Sequence, residues 1–231
     1  MKLGGFVAVL LAGFAGQGAT VCSGGPSLAW RKVFQVDKAT LASTGRNAYF
    51  VLEPGYRLEF THGRSTLVVT VLEETNEVDG VQSRVVEERE ATAGSLTEVS
   101  RNYLAIDPTS GDLYYFGEEV DSYRNGKVVG HEYSWLAGVG GASFGLFLPG
   151  RPVVGDRFYQ EVAPRVAMDR LEVISTDATV STPAGRFERC LEVRETTPLE
   201  GESSRIWYAP GVGLVRDGDL VLVGIANAQG R

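Results

Sequence analysis

The sequence predicts an all-β protein, built as a single antiparallel β-sandwich or open half-barrel with meander topology. Three observations carry that prediction. Runs rich in β-branched and aromatic residues recur at roughly 8–12-residue spacing. Turn dipeptides such as Asp79-Gly80 and Asn125-Gly126 separate them. No stretch holds the 3.6-residue periodicity of an amphipathic helix of three turns.

Taken from the start, Met1-Lys2 and the uncharged apolar run Leu3 to Gly16 resemble a secretory leader, because a run of about 14 residues is shorter than the roughly 20 that span a bilayer. Cleavage is expected after Ala19 or after Ser23, so 1–23 is read as a signal peptide; a third route is lipidation of Cys22. Residues 24–45 read as a linker or N-terminal arm, in which Trp30 to Val36 is either a first strand or an ordered arm. Residues 46–225 read as one β domain, and 226–231 as a tail. Within the domain, Thr66 to Leu72 (TLVVTVL) places apolar residues on both faces of a strand. Asp79-Gly80 then turns the chain into a polar strand, Val81 to Thr92, expected to show one face to water. Leu96 to Ile106 follows. The Asp107–Asp112 segment, with Pro108 and Gly111, is a tight turn. Leu113 to Phe116 and the Asn125-Gly126 hairpin complete a meander.

Leu136 to Val154 interrupts the rhythm. It is apolar, Gly-rich and aperiodic, which fits either a lid or a buried crossing segment. Asp156 to Val162 resumes the alternation, Ala163 to Asp169 reads as one short helical turn, and strands at 171–180, 187–195, 203–208, 212–215 and 220–223 finish the chain.

The bulk composition is that of a folded, acidic protein. The chain has 231 residues, 43% hydrophobic and 22% charged, with a formal net charge of −7. No Lys/Arg run provides the electrostatic footprint of a nucleic-acid binder. No cofactor is indicated, because no Gly-rich loop leads from a strand into a phosphate-binding helix. No metal is indicated either: His62 and His131 are the only histidines, too few for the usual zinc set. Glu118, Glu119 and Asp121 beside the Asn125-Gly126 turn lack calcium-loop spacing and read as a solvated hairpin. Cys22 and Cys190 are the only cysteines. They form one long-range disulfide if Cys22 survives unlipidated in an oxidising compartment; otherwise Cys190 is a small buried hydrophobe.

Two kinds of site remain. His131, Glu132, Asp156 and Asp169 flank the apolar segment and are candidates for acid–base chemistry. Tyr115, Tyr133, Trp135, Phe144 and Phe147 gather beside it and are candidates to line a pocket for a small apolar ligand, or simply to fill the core. On a strand, His131, Tyr133 and Trp135 would share one face.

Several motifs carry a resemblance. Asn47-Ala48-Tyr49-Phe50-Val51-Leu52-Glu53-Pro54-Gly55, followed by Tyr56 to Phe60, is similar to the opening Asn-Pro-Tyr-Phe-Pro-Leu-x-Pro-Gly of a family of exported bacterial proteins, often lipoprotein-like at the N-terminus. Tyr115 to Val120, Ser134 to Val139, Arg194 to Leu199 and Tyr208 to Val215 match further stretches, so the resemblance covers roughly 46–217. Ala48 and Val51 stand where the pattern has Pro, and Leu58 where it has Trp. The resemblance implies export and a β-rich domain; the family has no assigned activity and supplies no catalytic residue. The function expected is therefore a binding or interaction module of the cell envelope, with a small apolar ligand or an envelope protein as partner and a membrane contact only through a lipid on Cys22. The alternative is an envelope enzyme using carboxylates and His131.

Overall fold

A computed structural model describes residues 29–201 and 203–227. The leader, Cys22 and the end of the tail lie outside the described residues. After a single 3-10 turn at Lys38–Thr40, the strands are β1 (Gly45–Asn47), β2 (Phe50–Leu52), β3 (Arg57–His62), β4 (Ser65–Val78), β5 (Val81–Thr92), β6 (Ser95–Ile106), β7 (Leu113–Arg124), β8 (Lys127–Gly130), β9 (Trp135–Leu136), β10 (Ser143–Leu148), β11 (Arg157–Tyr159), β12 (Glu161–Val162), β13 (Arg170–Thr182), β14 (Gly185–Thr196), β15 (Ser203–Ala209), β16 (Gly213–Asp217) and β17 (Leu220–Ala226). Among the described residues, β1 and β2 form a separate hairpin. The other fifteen strands form one antiparallel sheet in the order β11-β13-β14-β15-β16-β17-β3-β4-β5-β6-β7-β10-β12, with β8 and β9 also paired to β7.

This is the expected all-β meander. The hairpin turns at Asp79-Gly80 (φ 51° and 76°) and Asn125-Gly126 (53° and 73°) hold two consecutive positive φ angles, the geometry that matches the twist of the flanking strands. The long β4–β5–β6–β7 run curls the sheet. Its two ends, β11 and β12, are consecutive pieces of one stretch separated only by Gln160. The ladder does not continue across that seam, so the sheet is an open half-barrel. Gly145 sits at the seam, where a Cβ would collide with the backbone carbonyls of Tyr159 and Gln160.

The concave side holds a continuous apolar core in which Leu52, Phe60, Leu67, Leu104, Leu113, Leu146 and Phe147 are each 0–1% exposed. The β1–β2 hairpin covers one end, with Phe50 edge-on to Phe147 at 5.7 Å. Asn47 fixes it there. Its amide donates to Gly111 O (2.7 Å) and Pro149 O (3.1 Å), and its Oδ1 accepts from Tyr49 N–H (2.7 Å). The first residue of the family-like opening motif thus acts as a structural tie.

Two open readings are decided and two local expectations change. Trp30 to Val36 is an arm rather than a strand; a bridge at Arg31 to Phe158 is its ladder contact. Leu136 to Val154 contains strand β10 and buries Leu146 to Leu148, as a crossing segment does. Ala163 to Asp169 is a tight reversal closed by an Ala163–Ala167 bridge, and its Arg165 has φ 68°, which no α-helical residue adopts. His131 to Ser134 is a turn, not a strand. Tyr133 at φ 72° breaks the alternation that would have put His131, Tyr133 and Trp135 on one face.

Candidate ligand cleft beside a buried carboxyl cluster

Cross-strand register decides which side chains meet on the concave face, because paired residues in an antiparallel ladder point the same way. One row runs Val69, Glu88, Ser100, Val120, and the next runs Val71, Val86, Asn102, Glu118, Trp135. On the opposite wall the rows are Leu171, Glu195, Ser204 and Val173, Val193, Ile206, Asp217, Leu220. The apolar rows therefore continue into acids. Glu88, Glu118, Glu161, Asp169, Glu195 and Asp217 are all 1–8% exposed. Glu118, expected on a solvated hairpin, is buried here; its neighbour Glu119 faces out.

No ion pair neutralises Glu88, Glu161, Asp169, Glu195 or Asp217 among the described residues. Burial disfavours their charged forms, and each carboxylate raises its neighbours further. Asp217 is pushed up to about 8 by burial. Glu88 and Glu195 are raised well above the ordinary carboxylate range, first by burial, then by Glu118 and by Asp169 respectively. Glu161 and Asp169 form a tight pair in which Asp169 N–H donates to Glu161 Oε1 at 2.5 Å. Both are raised, by burial first and then by neighbouring acids. Asp217, at about 8, keeps its proton at neutral pH, and burial biases the other four toward the same neutral form. Tyr115 O–H donates to Asn102 Oδ1 within the same layer. Glu88 Oε1, Glu161 Oε2, Asp169 Oδ2 and the Trp135 indole N–H make no hydrogen bond, although buried polar atoms ordinarily do.

One member of the cluster reaches a cavity. A cleft of about 330 Å³ is lined by Tyr133, Arg165, Val166, Ala167, Asp169, Thr197, Leu199 and Glu200. Three irregular segments build it: the His131–Ser134 turn, the Ala163–Ala167 reversal and the turn after β14. The positive φ of Tyr133 and of Arg165 turns the chain at its rim. Val166, Ala167, Leu199 and the Tyr133 ring give it an apolar wall. Asp169, Thr197, Glu200 and Arg165 supply polar groups, the mixture typical of small-molecule sites.

The structure distributes the candidate residues among several places. Tyr133 and Asp169 meet at the cleft. Tyr115, Trp135 and Phe147 meet in the core, where Tyr115 lies edge-on to Trp135 at 5.1 Å and to Phe147 at 5.8 Å. Phe144 stacks on Phe116 at 4.9 Å, with Lys38 Nζ 5.4 Å from its ring. The His131 side chain is 70% exposed and pairs with Asp121 at 2.9 Å; Glu132 is exposed on the same turn. Asp156 accepts from Val153 N–H at 3.2 Å in an exposed loop. Cys190 is a free, buried thiol in β14, raised by burial. Among the described residues no three His, Cys, Asp or Glu side chains converge closely enough to hold a metal ion. No helix there is long and apolar enough to cross a membrane.

No family model matches the chain, and no curated protein matches it. Among solved structures it is similar to the crystal structure of "a putative lipoprotein" from Parabacteroides distasonis ATCC 8503, at 13% identity, covering 79% of this chain and 100% of that one, with a TM-score of 0.39. A likeness that distant transfers neither fold nor function.

Proposed function

We propose that this chain is an exported binding module of the bacterial cell envelope, and that it holds a small ligand in the cleft between Tyr133, Asp169 and Thr197. The leader-like segment Met1 to Ser23 supports export. The observation that carries the binding reading is Asp169. It is 2% exposed and lines a cleft of about 330 Å³ beside Arg165, Thr197 and Glu200. A carboxyl, a hydroxyl and a guanidinium on one wall offer a ligand hydroxyl or amine convergent hydrogen-bonding partners. Val166, Leu199 and the Tyr133 ring suit a ligand with an apolar body and one hydrogen-bonding end. The experiment is native mass spectrometry of protein purified from a bacterial envelope without detergent, alongside Leu199→Trp, which fills the cleft from its half-exposed rim. A reproducible extra mass lost in the variant is the expected result. A bare wild-type mass, or an adduct that Leu199→Trp retains, refutes the assignment.

A second reading, an envelope enzyme, is favoured by the contact between Asp169 and Glu161. Two coupled carboxyls beside a cleft can divide the roles of proton donor and acceptor. His131 pairs with Asp121 and does not line this cleft, so the enzyme reading rests on the carboxyls. It predicts that Asp169→Asn abolishes turnover of a co-purifying ligand while leaving its retention intact.

A further inference from the structure

The outer face of the same sheet carries the opposite charge. Side chains alternate across a strand, and three acid–arginine neighbours in sequence exploit this: Asp169-Arg170, Arg194-Glu195 and Arg216-Asp217. In each the acid is buried, while the arginine faces out and is partly exposed. Register assembles these arginines with others. Arg157, Glu172, Arg194 and Arg205 form one row across β11, β13, β14 and β15. Arg170, Thr196 and Ser203 form the row on one side of it, and Glu192, Trp207 and Arg216 the row on the other. Glu172 pairs with both Arg157 and Arg194, and Glu192 with Arg205. Arg170 is held instead over the Trp30 ring (4.4 Å), and Arg216 over Trp207 (5.2 Å). Five arginines thus face two glutamates, in a protein whose net charge is −7. Arg194 and Arg205 stand directly opposite each other, and a glutamate beside each offsets the like-charge repulsion.

The N-terminal arm enters at this face. Trp30 lies in an open groove of about 530 Å³ with three arginines (Arg157, Arg170 and Arg194), two glutamates (Glu172 and Glu200) and Ser203. Arg31 and Lys32 follow it and add two further cations, with Lys32 Nζ 5.0 Å from the Tyr159 ring. Cys22 is only eight residues before Trp30, a reach of at most about 28 Å of extended chain. Residues read as the export and lipid-anchoring segment therefore join the domain on its basic side.

We propose that this arginine face, formed by β11, β13, β14, β15 and β16 around Trp30, docks on the anionic headgroups of a lipid bilayer. Guanidinium groups pair bidentately with phosphate. Tryptophan is favoured at the membrane–water interface. The rows spread the guanidinium groups over five strands rather than around one anion. A face turned to the bilayer also leaves the carboxyl cluster on the far side of the sheet, away from headgroup charge. The inference rests on the export reading above; its groove shares Thr197 and Glu200 with the ligand cleft, but none of the five arginines lines that cleft.

The test is vesicle co-sedimentation of the full chain carrying Cys22→Ala, so that no acyl group contributes. The vesicles are phosphatidylcholine alone, or phosphatidylcholine with phosphatidylglycerol at about 7:3. Binding is expected only to the anionic vesicles, and it should weaken as salt rises and the Debye length shortens. Arg205→Gln with Arg216→Gln should reduce partitioning about 25-fold, at about fivefold per surface cation. Ser203→Asp, which leaves every arginine contact in place, should also weaken it. Arg124→Gln with Lys127→Gln, on the β7–β8 hairpin, should leave it unchanged. Equal binding to both vesicles, no binding to either, or equal sensitivity to the hairpin and face variants each overturns the proposal. So does retention on an immobilised polyanion without vesicle binding.

Discussion

Replacing Asp217 by Asn should remove much of a stability loss that the wild-type protein suffers on going from mildly acidic to mildly alkaline solution. Asp217 lies between Ile206 and Leu220 on the concave face, 8% exposed, and burial pushes its carboxyl up to about 8. In the unfolded chain an aspartate titrates near 3.9. Between those values the native state holds a proton that the unfolded state has released, so stability falls as pH rises. The slope for one such group is about 1.4 kcal/mol per pH unit. From pH 4 to pH 8 this amounts to roughly 5 kcal/mol, comparable with the whole stability of a typical domain. Glu88, Glu161, Asp169 and Glu195 are raised by the same cause and steepen the fall. On the acid side the opposite sign applies to Glu172. Burial works against its ionisation, but hydrogen bonds from Arg157 and Arg194 hold it below the usual range, so its contribution is present at neutral pH and lost as pH falls below about 4. Maximal stability is expected near pH 4. The assay is urea unfolding of wild type and Asp217→Asn at pH 5, 6, 7, 8 and 9. The variant should be more stable by about 1.5 kcal/mol at pH 5 and by roughly 5 kcal/mol at pH 8.5 and above. A wild-type stability that is flat or rising between pH 5 and 8, or a variant with the same slope, refutes a protonated interior.

Asn47→Ala should cost about 2–3 kcal/mol of unfolding free energy, because it leaves Gly111 O and Pro149 O without their amide donor and Tyr49 N–H without its acceptor; the shift in urea midpoint measures it. Ala93→Asn should stabilise by about 0.5–1 kcal/mol, since Ala93 holds φ 53° beside Gly94 at φ 78° in a turn that favours Asn-Gly; a lower thermal midpoint would contradict the turn geometry. The Cys190 thiol, fully buried and raised by that burial, should react with a thiol reagent only at the rate of opening; rapid modification of the native protein would show that β14 is not packed as described.

Strand content was legible because its signals are local. Asp79-Gly80 and Asn125-Gly126 specify turns by backbone chemistry alone, and TLVVTVL can hardly be anything but a strand. The irregular segments were not legible, because their conformations are tertiary outcomes. Tyr133 adopts a positive φ where the chain leaves β8 for β9, and Arg165 does so in a reversal closed by Ala163 and Ala167. Neither residue type announces that geometry. Asp169 and Tyr133 could be named as candidates beside the apolar segment, yet nothing in their spacing showed that they share a cleft.

The buried carboxyls leave a trace in the sequence. Val86 and Glu88, Val120 and Glu118, Leu171 and Asp169, and Val193 and Glu195 are each two residues apart, so each acid inherits the inward parity of its apolar neighbour. A polar strand such as Val81 to Thr92 looks like a solvated face only while that parity is ignored. The outward arginines follow from the same rule, since an arginine next to an inward acid must point away. A composition total of −7 averages these two populations and hides both. One sheet therefore carries buried acids within and guanidinium groups without, and the two faces should respond to different variables. Alkaline pH acts on the inner layer through proton loss, and salt acts on the outer one through screening. If Asp217→Asn flattens the pH profile without changing vesicle binding, and Arg205→Gln with Arg216→Gln does the reverse, the two faces are energetically separate. If either variant moves both, the curl of the sheet couples them.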